Sequence, residues 1–457
     1  MNKKLLVLFI CLLLILNVSY LFLTVTATEY PLSGYVVQHS ETYTKMWAEG
    51  SCKLDNGTIL CIYKRGTYAQ NIGASLCMVQ STDDGETWGN ERVLKAGDGN
   101  TGYLAKTLYL TPNGTLVIHY LEWKSRSYSY SCVMRSFDGG VNWKDDGKVS
   151  NTAEYYGHIG NSIILSDGYT IVVSQSESES TSYDNAECII STDNASSWTR
   201  GNQVPRPSGV SGVYEPTVIE LSNGTLMMLC RGENGYLWKT FSNDNGENWQ
   251  EAFNSGITAP SAPADMLRYT WTPNCILMLW DNNNTNRYPL YVAASYDDGE
   301  TWVQKTELQN SSLGNVAYPR FMSGKTTDDG NLLVTAWINT DSYADTTYYK
   351  FPITWLNSSF NNTDAIDITE IDNSTNSSAL STLSTQIEWE LNSTAIHYEV
   401  EIATDSDFTE IVKEYTDVNE YNYPSEYNES ATHAYFILPT PLTGYDTFYF
   451  RVRGYST

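Results

Sequence analysis

Along most of this chain, apolar and polar residues alternate in short runs, and the runs stop at tight-turn signals. In Val213-Tyr-Glu-Pro-Thr-Val-Ile-Glu-Leu-Ser-Asn-Gly-Thr-Leu-Met-Met-Leu-Cys-Arg231, two such runs flank Asn223-Gly224. Period-two alternation marks half-buried strands, and Asn-Gly or Asp-Gly suits the two-residue hairpin that joins them. Matching turns stand at Asn56-Gly57, Asn113-Gly114, Asp167-Gly168, Asn223-Gly224 and Asp329-Gly330, with Asn274-Cys275 as a worn copy. The pattern predicts an all-β chain.

A second mark recurs in step with the first. Ser81-Thr-Asp-Asp-Gly-Glu-Thr-Trp88 has counterparts beginning at Ser136, Ser191, Ser242 and Ser295, at steps of 55, 55, 51 and 53 residues. A fixed step near fifty is the signature of one supersecondary unit repeated, each copy burying its apolar face on its neighbours. Short polar side chains at fixed offsets build the turn, and the closing Trp anchors it to the core. Two turn signals per unit give a four-stranded blade, and six blades closed in a ring make a β-propeller. A sixth unit keeps only Trp355, 53 residues after Trp302, as closure by both chain ends would produce.

The rhythm stops near residue 363. The runs Thr385-Gln-Ile-Glu-Trp-Glu-Leu391, His397-Tyr-Glu-Val-Glu-Ile402 and Thr447-Phe-Tyr-Phe-Arg-Val-Arg453 predict a small β-sandwich. They resemble a fibronectin type III module, with Trp389 in its second strand; the chain stops where a seventh strand should begin. The expected organisation is a signal peptide or anchor over 1–28, a six-bladed propeller over 29–356, an Asn/Ser/Thr-rich linker over 357–380 and this module over 381–457. The first segment reads so because Asn2-Lys3-Lys4 precedes an apolar run from Leu5 to about Val25. It implies a secreted protein or one on the outer face of a membrane, with association at the cell surface through this segment or the C-terminal module.

Composition narrows the partners. The net charge of −26 argues against nucleic acid, which needs a basic face. It also means that an anionic ligand needs a local Arg cluster. Eight Cys include Cys11 in the apolar run, and the seven others read as buried thiols, with one bridge within Cys52, Cys61 and Cys77 left open. No His or Cys pair stands at metal spacing, so no metal and no cofactor are expected. Asn-x-Ser/Thr sequons are abundant, and several crowd between Asn357 and Asn376.

Glu215 and Arg231 lie eight residues either side of Asn223, so a hairpin turning there sets them opposite each other at its far end. At the mouth of a propeller channel, a carboxylate beside a guanidinium can be an ion pair, or a base beside an anion-binding group.

The repeated boxes resemble the Asp-boxes of the sialidase family over roughly residues 35 to 356. The resemblance implies an exo-glycoside hydrolase acting on a carbohydrate or glycoconjugate with a terminal, acidic sugar. It implies Arg residues that grip a substrate carboxylate, and a Tyr nucleophile paired with a Glu, an exception to the two-carboxylate rule for glycosidases. Matched residue by residue, Glu215 and Tyr318 are the catalytic pair, Arg231 and Arg287 bind substrate, and Arg65 with Lys64 compensates for an absent first Arg, where Lys45-Met-Trp-Ala48 stands. Asn71 occupies the slot of the family's acid, so Glu122, Asp265 or Asp281 is required to supply a proton. Arg320 and His158 are also expected near the mouth. Two alternatives follow from the departures. One is a hydrolase of another sugar that uses a pair from Glu122, Asp265 and Asp281. The other is a non-catalytic surface propeller that binds glycans or partners.

Overall fold

The structure, a computed structural model, describes residues 31–38, 40, 42–67, 72–125, 128–149, 155–178, 184–269, 275–309, 314–324, 326–327, 330–339, 343–352 and 355, together with the backbone of eight strands between Asp367 and Tyr455. The N-terminal apolar run, Asn71 and most of the linker lie outside these residues.

Six antiparallel blades follow one another in the chain. Blade 1 runs Lys45–Lys53, Ile59–Gly66, Ser75–Ser81 and Gly89–Lys95, each strand beside the next. Blades 2 to 5 repeat that order, with first strands Gly102–Leu110, Tyr155–Ile164, Tyr214–Glu220 and Asp265–Tyr269. Blade 6 supplies three strands, Asn315–Phe321, Leu332–Asn339 and Ala344–Phe351. Its fourth comes from the other end of the propeller: Leu32–Val37 pairs antiparallel with Ala344–Phe351. The box is missing from blade 6 because its outer strand is borrowed. Trp355 instead packs on Phe351 at 5.2 Å between ring centroids.

The blades cohere through shared cores. Buried clusters join neighbouring blades: Ile62 and Met78 of blade 1 meet Leu116 and Ile118 of blade 2, and Leu333 and Tyr348 of blade 6 meet Ile59 and Val79 of blade 1. Period-two alternation on strands buried on both faces produces this arrangement, since each face meets a different neighbour. The seven cysteines from Cys52 onward are all buried thiols, none joined in a disulfide, so the bridge left open in blade 1 is absent.

The boxes close the turn between third and fourth strands. In the first, the Ser81 hydroxyl donates to Asp83 at 2.7 Å and accepts the Gly85 amide at 2.9 Å, Asp83 accepts the Thr87 amide at 2.9 Å, and the Trp88 indole donates to the Gly85 carbonyl at 3.0 Å. The fourth position of the box carries positive φ in each case described, as at Asp84 and Asp298, and the next residue does too. Box three alone places a non-glycine, Ala195 at φ 64°, at that second position. These turns lie at the same end of each blade as the first hairpin turns. The start of each first strand and the end of each second strand lie at the opposite end.

The C-terminal strands form two four-stranded sheets. In one, Thr447–Tyr455 pairs with His397–Ala403 on one side and with Ser378–Ser381 on the other.

Candidate functional site

The inner strands hold the site because they are irregular. Five of the six first strands skip register: between Ala48 and Gly50, Ala105 and Thr107, Tyr214 and Pro216, and Ala317 and Arg320, and twice in blade 3, between Tyr156 and His158 and between Ile159 and Ser162. A bulge re-aims the side chain it carries. The ionisable residues so displaced are Glu49, Lys106, Glu215 and Tyr318. Backbone strain singles out two of them. Among the described residues eight non-glycines have positive φ; five sit in boxes, one is Asn90, and the remaining two are Glu215 (46°) and Tyr318 (50°). Each precedes a proline, which further restricts its backbone. Strain of this kind persists only where the surroundings over-determine it.

The two strained residues meet. The Tyr318 hydroxyl donates to Glu215 Oε1 at 2.6 Å, and Arg231 Nη1 donates to Glu215 Oε2 at 2.7 Å. Arg231 also donates through Nε and Nη2 to the Ser261 hydroxyl, at 3.0 and 2.8 Å. Arg287 donates to the Ser261 carbonyl at 2.7 Å and lies 5.8 Å from the Tyr318 ring centroid. Asn283 organises the loop that delivers Arg287 by accepting the Thr285 and Asn286 amides, and the Arg287 carbonyl accepts the Val316 amide of blade 6. Blades 4, 5 and 6 thereby place one carboxylate, two guanidiniums and one phenol around a common point.

Burial works against ionisation of Glu215. The Arg231 guanidinium, the Tyr318 hydroxyl and Arg287 outweigh it, and hold the carboxyl below its ordinary 4.5. Burial, then the Glu215 charge, push the Tyr318 phenol well above 10, with Arg231 and Arg287 pulling back. The resting pair is a carboxylate accepting from a protonated phenol.

An aromatic column backs Tyr318. Its ring stacks on Trp337 at 4.3 Å, Trp337 stacks on Trp47 at 4.4 Å, and the Lys64 ammonium caps Trp47 at 3.8 Å. Burial and the neighbouring Lys106 pull Lys64 down to about 7. Arg65, expected beside Lys64 as a substrate-binding residue, is not brought into the group. Neighbours along a strand point to opposite faces, and Arg65 is instead paired with Glu91 and stacked on Tyr43.

The three carboxylates expected to supply a proton fare differently. Glu122 sits on the second strand of blade 2, paired with Lys124 at 3.4 Å. Asp265 is buried and fully engaged by Arg320, the Phe321 amide and Thr217, so it is not a proton donor at the mouth. Asp281 is buried with neither carboxylate oxygen hydrogen-bonded, and burial, opposed by Arg287, pushes it well above 3.8. Arg320 and His158 are likewise buried, bonded to each other at 2.8 Å. Asn71 lies outside the described residues.

Sequence reasoning missed Ser261, Trp337 and the Glu49–Lys106 ion pair at 2.8 Å. A signal existed for the bulges: Glu215-Pro216 and Tyr318-Pro319 both set a proline inside a run that otherwise reads as an inner strand.

Comparison with known proteins bears on the fold. Residues 105–332 match the family described as BNR repeat-like domain. A sialidase of Clostridium perfringens is 28% identical over 202 residues, which is 38% of this chain and 52% of that protein. A sialidase of Paraclostridium sordellii is 27% identical over 208 residues, 39% of this chain and 49% of that protein. The chain thus spans about half the length of the curated relatives it matches. Among solved structures, Hadza microbial sialidase Hz136 superposes with a TM-score of 0.58 at 18% identity, covering 71% of this chain and 69% of that one. A NanB sialidase variant from Streptococcus pneumoniae gives 0.58 at 11% identity, covering 70% of each. The fold is the propeller that these sialidases share, and the chain is similar to them in sequence over its BNR repeat-like region.

Proposed function

We propose that this propeller is a retaining exo-glycoside hydrolase that removes a terminal acidic sugar from glycans. The observation that carries the reading is the 2.6 Å hydrogen bond from the Tyr318 phenol to a Glu215 carboxylate already held by Arg231. In the proposed reaction, Tyr318 Oη attacks the anomeric carbon as the glycosidic C–O bond breaks. The phenol proton passes to Glu215, and the departing glycosidic oxygen leaves as an aryl oxide or takes a proton from the medium. Water then adds its hydroxyl to the anomeric carbon and gives up a proton to the medium, as the bond to Tyr318 breaks and Glu215 returns the proton to the phenol oxygen. Because the phenol is held protonated until attack, no bare anion faces an acidic substrate. Arg231 and Arg287 grip the substrate carboxylate, since guanidinium stays charged and matches carboxylate geometry. They form a local cationic centre on a chain of net charge −26. Support also comes from a Trypanosoma rangeli sialidase described as a covalent intermediate with 2,3-difluorosialic acid, which shares the fold at a TM-score of 0.53 and 15% identity.

The proposed setting is extracellular, supported by the lysines and apolar run at residues 3 to 25, with a fibronectin-like C-terminal module as spacer or partner surface.

The test uses the full chain and an activated aryl sialoside, whose leaving group departs without protonation, so the readout reports on the nucleophile and its base. Turnover is expected, falling about 100-fold or more in Glu215→Gln and further in Tyr318→Phe. A folded protein with no turnover, which still binds sialosides, would establish the non-catalytic alternative instead.

A further inference from the structure

Two residues beyond Glu215 stands Thr217, and two beyond Tyr318 stands Arg320. The two strands share a local design: a functional residue at positive φ, a proline, then a polar side chain turned inward. Both polar side chains converge on one carboxylate, Asp265, on the inner strand of the blade between them. The Thr217 hydroxyl donates to Asp265 Oδ1 at 3.4 Å, and Arg320 Nη1 donates to the same oxygen at 3.1 Å. The Phe321 amide donates to Oδ2 at 2.9 Å. Thr217 in turn accepts the Met266 amide at 3.0 Å, locking it to the strand that carries Asp265.

We propose that Asp265 is a positioning residue that sets the distance between Glu215 and Tyr318 by tethering the strands of blades 4 and 6 at the residue two beyond each. In its catalytic meaning the inference rests on the proposed roles of that pair.

The need for a tether is geometric. Glu215 and Tyr318 belong to blades that do not adjoin, and both sit on bulges where the ladder skips. Inter-strand hydrogen bonds therefore do not fix where either side chain points. Asp265 supplies the missing constraint from below. At 2% exposure it is closed to substrate, and its oxygens are committed. The tether is itself braced. Arg320 Nη2 donates to His158 Nε2 at 2.8 Å, so that nitrogen accepts and the ring proton resides on Nδ1. Nδ1 faces Glu49 Oε2 at 3.7 Å, and Glu49 accepts Lys106 at 2.8 and 2.9 Å. Lys106, Glu49, His158, Thr217, Asp265 and Arg320 come one from each blade. Arg320 Nε is the one atom of the tether left without a hydrogen-bond partner, while both its Nη atoms are bonded, and buried polar groups paired in this way fix a specific geometry.

The test places 3-fluorotyrosine at position 318 of the full chain and records its 19F resonance without ligand, in the otherwise wild-type background and with Asp265→Asn or Thr217→Val. The expected result is one sharp signal that shifts or splits in Asp265→Asn, and does so to a smaller extent in Thr217→Val, which leaves the ion pair intact. On the aryl sialoside, Asp265→Asn should lower kcat about 10- to 100-fold, the scale of a small misplacement. KM should stay within about threefold, because the carboxylate-binding arginines are untouched. If Asp265→Asn does not fold, the resonance and kcat of Thr217→Val decide. An unmoved resonance with unchanged kcat in folded variants overturns the inference. If no variant, wild type included, turns over substrate, the nucleophile assignment falls, and the resonance still decides whether Asp265 orders Tyr318.

Discussion

Tyr318 and Glu215 illustrate how surroundings bring two ordinary side chains into one buried, hydrogen-bonded pair. Neither is exceptional in sequence; the chain contains 34 Tyr. Their φ of 50° and 46°, their prolines and their mutual hydrogen bond set them apart. The pH dependence follows from the carboxylate. Arg231, Tyr318 and Arg287 hold Glu215 below 4.5 despite burial, so the base is ionised above that value and fails only as pH falls through its lowered pKa. The acid limb of kcat/KM on an aryl sialoside should therefore lie below pH 4.5, and a limb near neutral pH would remove Glu215 from the role of base. At this scale spacing about the hairpin brought Glu215 near Arg231, and the two side chains meet, but the bulge puts Tyr214 rather than Glu215 opposite Arg231 in the ladder. Sequence was a poor guide where strand alternation decides. Lys64 and Arg65 are adjacent, yet one caps the Trp47 column and the other turns away to Glu91. Asp265 looked like an acid near the mouth, because nothing in the sequence shows that Arg320, Thr217 and the Phe321 amide consume it.

Two kinds of element repeat around the ring, and they serve opposite ends of it. The boxes stabilise the turns at one end, and the bulges of the inner strands shape the site near the other. Hydrogen bonds from Thr87 and Ser81 draw Asp83 down to about 2, so its contribution is present above the ordinary carboxylate range and is lost as pH falls from about 4 through about 2. Ala195 is the exception among the boxes. Its φ of 64° is one that an L-residue adopts at a cost of about 1 kcal/mol and glycine adopts freely. Ala195→Gly should therefore raise thermal stability by about 0.5 kcal/mol or more, net of the added unfolded-chain entropy, and leave kcat unchanged. Calorimetry on the folded chain checks it; a lower Tm would show that the alanine methyl contributes more by packing than it costs in strain. The boxes were fully legible from sequence because their chemistry is local. The bulges left a sequence mark only where a proline interrupts the run, at Glu215-Pro216 and Tyr318-Pro319; at Glu49 and Lys106 a skipped register depends on what the neighbouring strand does.

As a whole, the molecule is a ring fastened by its own N-terminal strand. Leu32–Val37 completes blade 6, the Ser323 amide donates to the Ser51 carbonyl, and the Ala344 amide donates to the Thr44 carbonyl. The fastening is remote in sequence from the site yet acts on it, since blade 6 carries Tyr318 and Trp337. Removing the chain through Val37 should unpair the edge of Ala344–Phe351 and uncover part of the core. The expected result is a fall in Tm of more than about 5 °C, on the scale of several lost ladder bonds and buried side chains, with loss of activity at temperatures where the intact chain still works. A truncated chain that melts with the full-length protein would show that closure rests on the inner strands alone. The six-fold repeat was legible from the spacing of turns and boxes, and the imperfect sixth unit pointed to joint closure. Which strand performs it was not, since Leu32–Val37 carries no turn mark that ties it to blade 6.

Covalent trapping distinguishes attack on the sugar by Tyr318, with Glu215 as its base, from attack by any other group. The full chain is incubated with 2,3-difluorosialic acid, its intact mass is measured, and the labelled peptide is mapped. A single glycosyl adduct on Tyr318 is expected in the wild type, with slower formation in Glu215→Gln and none in Tyr318→Phe. An adduct on a carboxylate, or none on a well-folded wild-type protein, would contradict attack by Tyr318.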